Sequence, residues 1–546
     1  MMPPVSRTST HSRHLAARWR RTGALAVLLG GALSVAACGA SPREPGTVVI
    51  ASGTDLESAN PLVTVHPMAR QVQRHMLFVT LVRLDSLLQP VPYYAREWRW
   101  TEDRRTVTFA LDSTLRWHDG TSTTAADVAF TFTKAAEPGL GSPRRGDMDI
   151  LESVATPNAH TVVVRFRSAQ AQLPVIFAEL PLVPKHLLDS VPVTRWRGHP
   201  FATAPVGNGP FRFSSRKAGR QWRFVRNPDF PKAMGGPPQS QQVVVAVVDE
   251  AATKFAGLVS GELDVAGVSP TMAQLVRADQ SLRLMSPAVL FSTVLAYNTT
   301  RAPFEDVRVR RALSLAVQRQ RLVQAAVAGF ATPASSALPP GLPVTPPQDS
   351  TADIVRSAHE ADTLLDAAGW RRPSPSATRV RNGKPLALTL LTVGSGDMAV
   401  EQLLQADFAA HGIALDIRVM ELAGFLATIR QPDKQFDLVL TGVPGDVALG
   451  HLSALFDSRQ RGGALDYTGY HTPALDAALF AARGADAASA RTAWGRVDSI
   501  LQHDMPVAWL YHARGVQGRS ARLQNVVMDL RGELVSVSQW TRRQDP

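Results

Sequence analysis

Leu115-Arg116-Trp117-His118-Asp119-Gly120, followed by Thr124-Ala125-Ala126-Asp127-Val128, is the stretch on which the fold turns. Just before it, Thr106 to Leu111 alternates, with Val107, Phe109 and Leu111 on one face and Thr106 and Thr108 on the other, the period of a half-buried strand. Asp119-Gly120 supplies a tight turn. Thr124, with Asp127 three residues on, forms a capping box that opens a helix into Val128-Ala129-Phe130. Strand, turn and helix therefore follow in that order.

Outward from this point the same reading extends in both directions. Thr47 to Ala51 signals an opening strand, and Val243 to Val248 is a continuous apolar run suited to a strand buried on both faces. Ile413 to Met420 alternates as a half-exposed strand does. From about Val309 to Val327 the spacing predicts a helix whose stripe holds Ala312, Leu315, Ala316, Leu322, Val323 and Ala326. Arg319 falls inside that stripe and has to snorkel or pair. Residues 332–350, with Pro339-Pro340 and Pro346-Pro347, read as a surface excursion. The polar stretch Arg371 to Lys384 ends in Asn382-Gly383 just before a strand from Leu386 to Val393, as a hairpin turn would.

The amino terminus reads as a targeting segment. Arg7, Arg13, Arg18, Arg20 and Arg21 precede an apolar run from Ala24 to Ala37, and no acid appears before Glu44. The run is too short for a stable span and stops at Val35-Ala36-Ala37-Cys38-Gly39, which resembles the bacterial lipobox, where the cysteine thiol receives lipid. Cys38 is the sole cysteine, so internal disulfides are excluded. Arg20-Arg21 leaves Sec and twin-arginine export both open. Gly39 to Gly46, with Pro42 and Pro45, reads as a flexible tether.

Without residues 1–37, which carry five arginines and no acid, the formal net charge falls from +12 to +7. That is mild for a chain of this length and, with an exported destination, argues against a nucleic-acid partner. The rest, just over 500 residues, is enough for two or three packed domains. No later stretch has the ~18 uncharged apolar residues of a membrane span, so a soluble body on a lipid tether is expected.

The opening stretch resembles the signature of family 5 extracellular solute-binding proteins, the oligopeptide, dipeptide and nickel binders. The resemblance continues, in order, through Gly207-Asn208-Gly209-Pro210-Phe211, Arg226-Asn227-Pro228-Asp229-Phe230, Ser260-Gly261-Glu262-Leu263-Asp264-Val265, Pro303 to Leu313 and Leu364 to Trp370. It implies an α/β fold of two-lobe periplasmic-binding-protein architecture with an extra α+β subdomain and a discontinuous first lobe. The expected division is a signal peptide at 1–37, a tether at 38–46, and a first lobe from 47–83, 203–297 and 508–546. The subdomain then spans 84–202 and the second lobe 298–507, with hinge passages near 298 and 507.

Most signature residues read as structural. Trp117 packs, Asp119-Gly120 turns the chain, and no second histidine lies at metal-ligand spacing from His118; His503-Asp504 lacks partners too. Glu305, Asp306, Arg308, Arg310 and Arg311 read as a solvated, salt-bridged helix entrance. No Gly-x-Ser-x-Gly elbow, His-Glu-x-x-His or phosphate-cradling loop is present, so no enzyme, cofactor or metal is expected. For ligand contacts the resemblance singles out Phe436 to Asp446, a strand leading into a loop, where Asp446 matches an acid that pairs with a ligand's α-amino group. It keeps that acid but carries Val443 where peptide binders have Trp. Thr54 and Asp55, after the first strand, match a loop facing the cleft; a turn cap is the equal reading of Asp55. A monomer is expected that binds a short peptide and serves an ABC importer permease. Nickel chelate, oligosaccharide, a periplasmic hydrolase and a protein-interaction lipoprotein remain alternatives.

Overall fold

The computed structural model describes residues 44–346 and 357–543, except Val65, Ala171, residues 395–397, Pro432, Ala464 and Ala487. The expected signal peptide, the lipidation residue Cys38 and the tether up to residue 43 lie outside the described residues.

Three larger sheets organise the chain into a two-lobe α/β architecture. The first has seven strands in the order Leu282–Met285, Gln517–Ser520, Val265–Gly267, Thr47–Ser52, Gln242–Val247, Gln221–Arg226 and Phe211–Lys217. Thr47–Ser52 runs parallel to Gln242–Val247 from Thr47 opposite Gln242 to Ser52 opposite Val247. Both strands are internal, which is why their apolar runs do not alternate: Val48, Ile50, Val243 and Val245 enter one core while Ala51, Val49 and Ala246 face another.

The second sheet has six strands in the order Ala331–Pro333, Val507–Arg514, Ala288–Tyr297, Leu438–Pro444, Ala387–Thr392 and Ala414–Val419. The third is a four-stranded antiparallel sheet of Ala95–Trp100, Thr106–Leu111, Thr161–Phe166 and Leu151–Asn158. Val107, Phe109 and Leu111 point into its core as the alternation requires, and Phe109, Phe132 and Phe166 gather around Phe177. Helix Ala125–Ala136 starts at the expected capping box, with the Thr124 amide donating to Asp127 Oδ2 at 2.8 Å. Asn382 and Gly383 both take positive φ, 53° and 74°, in the two-residue turn between Val380–Arg381 and Lys384–Pro385.

The chain passes between the first two sheets at Ser286-Pro287 and at Gly515-Val516. These crossings differ from the passages expected near 298 and 507. The reason is that Ala288–Tyr297 and Val507–Arg514 are antiparallel partners inside the six-stranded sheet, so Tyr297 and Pro506 meet at its far end.

Three further expectations change. The helix foreseen over 309–327 is two helices, Val307–Ala316 and Arg319–Val327. Val317 is extended between them, and the Gln318 amide donates to Asp407 Oδ2 at 2.9 Å instead of to a helical carbonyl. Arg319 then pairs rather than snorkels, donating to the carbonyls of Trp509 and Ser314. Arg310 is no solvated charge: it is 5% exposed and donates to the carbonyls of Phe304, Glu305, Asp504 and Met505. Residues 332–346 are not a surface excursion, because Ala331–Pro333 adds an edge strand and draws Ala334, Ala337, Leu338 and Leu342 into the core.

Candidate ligand-binding site

The strand Leu438–Pro444 ends beside the crossings, where the Gly445 amide donates to the Leu290 carbonyl at 2.7 Å. The loop that follows carries Asp446 into helix Gly450–Phe456. Its carboxylate is almost fully buried and accepts the Gly450 amide on Oδ1 and the His451 amide on Oδ2, each at 3.0 Å. Burial opposes the charge, but His451, Arg144 and the Gly450 amide outweigh it and hold the carboxyl far below the usual carboxylate range.

Across from Asp446 stands a cluster assembled from distant sequence. Arg144 Nη2 lies 2.9 Å from Glu179 Oε2, and its Nη1 lies 3.3 Å from Asp147 Oδ2. Arg74 reaches Glu179 Oε1 at 3.3 Å, and Arg70 reaches Oε2 at 3.9 Å. One buried carboxylate thus holds three guanidinium groups. The crowding shows in protonation: the Arg144 charge, aided by burial, pushes Arg70 down to about 10, whereas burial, reinforced by Asp446 and Glu179, pushes Asp147 up to about 6. Asp147 and Asp446 flank Gly450, where a Cβ would fall 3.3 Å from Asp147 Oδ1 and 3.5 Å from Asp446 Oδ2.

The signature residues position this cluster. Arg70 and Arg74 sit on helix Pro67–Val72 and the π-helical turn Gln73–Leu77 that continues it. Gly207 and Gly209 press on that turn: a side chain at either would fall 2.0 Å and 2.4 Å from the Leu77 and Met76 carbonyl oxygens. His118 clamps the two glycines, accepting the Gly207 amide on Nδ1 at 3.2 Å and donating from Nε2 to the Gly209 carbonyl at 3.0 Å. Burial pushes its imidazole down to about 4. Both ring nitrogens are therefore used in holding the backbone.

Of the three residues singled out by sequence, Asp446 alone meets the cluster. Thr54 stands one step behind it: its hydroxyl lies 2.6 Å from His66 Nε2, and His66 Nδ1 caps the Arg70-bearing helix by accepting the Ala69 amide. Asp55 points elsewhere. It accepts Trp222 Nε1 at 2.5 Å, Arg216 Nη2 at 2.8 Å and the amides of Leu56 and Gly219, so it ties the first strand to the hairpin Phe211 to Arg226. Sequence reasoning missed Arg70, Arg74, Arg144, Asp147 and Glu179. Only Glu179 carries a local signal, an acid enclosed by Ile176-Phe177-Ala178 and Leu180-Pro181-Leu182.

Among the described residues no group of three or more His, Cys, Asp or Glu is placed to hold a metal ion, and no helix is long and apolar enough to cross a membrane. Residues 89–458 match the family model of bacterial extracellular solute-binding proteins, family 5 Middle. A putative ABC transporter peptide-binding protein of Brucella ovis is 26% identical over 365 residues, 66% of each chain, so this chain spans just under two thirds of that relative's length. The oligopeptide-binding protein AppA of Bacillus subtilis is 21% identical over 91% of this chain and 92% of its own. The structure of AppA in complex with a nonapeptide has a TM-score of 0.78 to this one, at 20% identity, covering 92% of this chain and 100% of that one. NikZ from Campylobacter jejuni in complex with Ni(L-His) gives the same TM-score, identity and coverage.

Proposed function

The chain belongs to family 5 of the bacterial extracellular solute-binding proteins, and from that premise we propose that it is the substrate-binding component of an ABC importer, taking a short peptide between its two lobes. What supports this most is the buried meeting of Asp446, on the loop after the six-stranded sheet, with Arg144, Asp147 and Glu179 from the part of the chain around the four-stranded sheet. A zwitterionic ligand entering there finds the Asp446 carboxylate for its ammonium and, for its carboxylate, Arg70, the partly exposed guanidinium that reaches Glu179 only at 3.9 Å. The names of the Brucella and Bacillus relatives point to peptide in the same direction.

In this reading no chemistry occurs. Binding energy favours the closed lobes, and a permease recognises that closed state. The first lobe comprises residues 47–83, 203–285 and 516–543, the α+β subdomain 84–202, and the second lobe 288–514. Cys38 carries the lipid that holds a monomeric body at the membrane surface. Cys38→Ala should leave folding intact and move the protein to the soluble fraction on membrane fractionation; retained membrane association refutes the anchor.

The deciding experiment is mass spectrometry of whatever co-purifies, followed by calorimetric titration with the compound found. A tight ligand should also stabilise the protein by about 2.7 kcal/mol at a hundredfold excess over its dissociation constant. Recovery of a metal chelate or an oligosaccharide would overturn the peptide assignment while leaving the importer role standing.

A further inference from the structure

From Ser190 to Val248 the chain holds nine arginines and lysines and a single acid, Asp229. Six of those cations, Arg212, Arg216, Lys217, Arg220, Arg223 and Arg226, fall on the hairpin of Phe211–Lys217 and Gln221–Arg226 at one edge of the seven-stranded sheet. Two have acidic partners: Arg212 reaches Asp229 Oδ2 at 2.7 Å and Arg216 reaches Asp55 Oδ2 at 2.8 Å. Among the described residues Lys217, Arg220, Arg223 and Arg226 have none, and the Arg226 Nε is buried without a hydrogen bond.

The register gathers these charges. Arg212 stands opposite Val225, Ser215 opposite Arg223 and Lys217 opposite Gln221, so Arg212, Arg223 and Lys217 share one face, with Arg220 in the turn beyond them. Helix Ala251–Ser260 covers the inner strands on that side, where Leu258 packs with Ala51 and Ala246, while Lys217 and Arg220 are exposed. A solvated sheet face is stabilised by neighbours of opposite sign, and neighbours of like sign oppose it. Cations also protect an edge strand from pairing with another chain, which accounts for Lys217. It does not account for Arg223, which lies on the strand inside that edge.

The hairpin is also close to where the chain enters the fold. The Gly46 carbonyl accepts the Gln241 and Gln242 amides. Thr47, Gln242, Val225 and Arg212 then form one cross-strand row, which at about 4.8 Å per strand puts Arg212 roughly 15 Å from the entry point. The eight residues from Cys38 to Pro45 span about 30 Å at most. A lipid on Cys38 therefore keeps the unpaired cations within reach of the phosphates at a membrane surface.

Resting on the lipid anchor proposed above, we propose that the hairpin Phe211 to Arg226 is a docking surface for anionic phospholipid headgroups. It lies at the opposite edge of its sheet from Leu282–Met285, the strand that leads into one crossing, so docking holds the first lobe and leaves the second free to move. Each cation close to an anionic surface shifts the ratio of docked to undocked protein roughly fivefold.

The test places the processed, lipidated chain on vesicles of phosphatidylcholine alone and of phosphatidylcholine with about 30 mol% phosphatidylglycerol, an anionic surface. Ala218→Cys supplies a thiol on the turn for a donor fluorophore, since the thiol of Cys38, the sole other cysteine, carries the lipid. Energy transfer to headgroup-labelled lipid should be several-fold greater on the anionic vesicles, and the excess should vanish at about 1 M salt. Reversing three charges, in Lys217→Glu/Arg220→Glu/Arg223→Glu, should lower the docked-to-undocked ratio on the order of a hundredfold. Lys217→Gln/Arg220→Gln, confined to exposed positions, should lower it roughly twentyfold. Lys384→Glu/Arg461→Glu/Arg496→Glu, the larger charge change placed in the second lobe, should leave the excess in place. Equal transfer on both kinds of vesicle, or an excess that survives in both hairpin variants, overturns the docking surface. An excess lost equally in the second-lobe variant assigns the attraction to net charge and overturns it too. A chain that stays off both kinds of vesicle refutes the lipid anchor and the docking surface with it.

Discussion

The amide of Gly515 donates to the carbonyl of Pro287 at 2.9 Å, so the two passages between the lobes are hydrogen-bonded to each other. Arg514 adds a second tie, from Nη2 to the Ser286 carbonyl at 2.7 Å. Rotation of one lobe against the other has to be absorbed by these few residues, the usual arrangement for a hinge.

Gly515 has no room for a side chain: a Cβ would lie 2.9 Å from Pro287 Cγ and 3.3 Å from Val289 Cγ1. Gly515→Val should therefore splay the passages, cost about 1 to 3 kcal/mol of stability as overpacking does, and hinder closure. Small-angle scattering checks it. The native chain should compact on adding its ligand and the variant should compact less; equal compaction would show that the passages are not the pivot.

Asp446 caps the helix Gly450–Phe456, and the proposed anchoring of a ligand would be a second job for the same carboxylate. Because its carboxylate accepts the Gly450 and His451 amides, Asp446→Ala leaves two buried donors unpaired and should cost about 1 to 3 kcal/mol in denaturant unfolding. If the same carboxylate also meets a ligand ammonium, affinity should fall by roughly ten- to a hundredfold beyond that, as for other charged hydrogen bonds. Asp446→Asn keeps one acceptor and should lose less stability while losing most of the affinity. Unchanged ligand affinity in both variants would leave Asp446 a helix cap only.

The legible parts of the chain were those whose cause is local. The Thr124 and Asp127 capping box, the Asn382-Gly383 turn and the alternation of Val107, Phe109 and Leu111 each depend on neighbours within a few residues, so the pattern states the geometry. Arg310 and Arg319 could not be read that way. Their partners Asp504 and Trp509 lie about two hundred positions along the chain, and a buried arginine that donates to carbonyls has the same local sequence as a solvated one. The charged cluster was hidden for the same reason, since Arg74, Arg144 and Glu179 meet only through tertiary packing. The family blocks lead to it indirectly, through His118 and Gly207, which fix the turn that carries Arg74.

Asp147 should make the structure respond to mild acid. Its carboxyl is pushed from 3.8 up to about 6 by burial, reinforced by Asp446 and Glu179 against the pull of Arg144 and Arg70. A raised folded-state value means that the protonated form is preferred in the fold. The associated penalty is absent below the unfolded value near 4 and grows as pH rises to about 6, above which it is complete. Stability should thus increase as pH is lowered from 7 to 5, by about 1 kcal/mol, out of about 3 kcal/mol for the whole span down to pH 4 and below. Asp147→Asn should abolish that slope in urea unfolding measured across the range, and a slope unchanged by the substitution would place its origin elsewhere.

Arg459 and Asp149 supply a weaker contact across the same boundary, with Nη1 3.6 Å from Oδ2 and both side chains about half exposed, 52% and 47%. Arg459 is held ready by Asp457, whose Oδ2 lies 2.6 Å from its Nη2. Exposed pairs of this kind contribute about 0.2 to 1 kcal/mol, too little to matter for folding. For an open–closed equilibrium that amount is appreciable, because about 1 kcal/mol changes the ratio of states roughly fivefold. Asp149→Ala should leave the melting temperature nearly unchanged, enlarge the open population and weaken ligand binding about two- to fivefold, chiefly through faster dissociation. Salt provides the control. Raising ionic strength to 1 M, where the screening length is about 3 Å, should bring native and variant affinities together. A difference that survives high salt would mean that Asp149 acts through packing or through the ligand itself, and the contact would then have no part in setting the closed state.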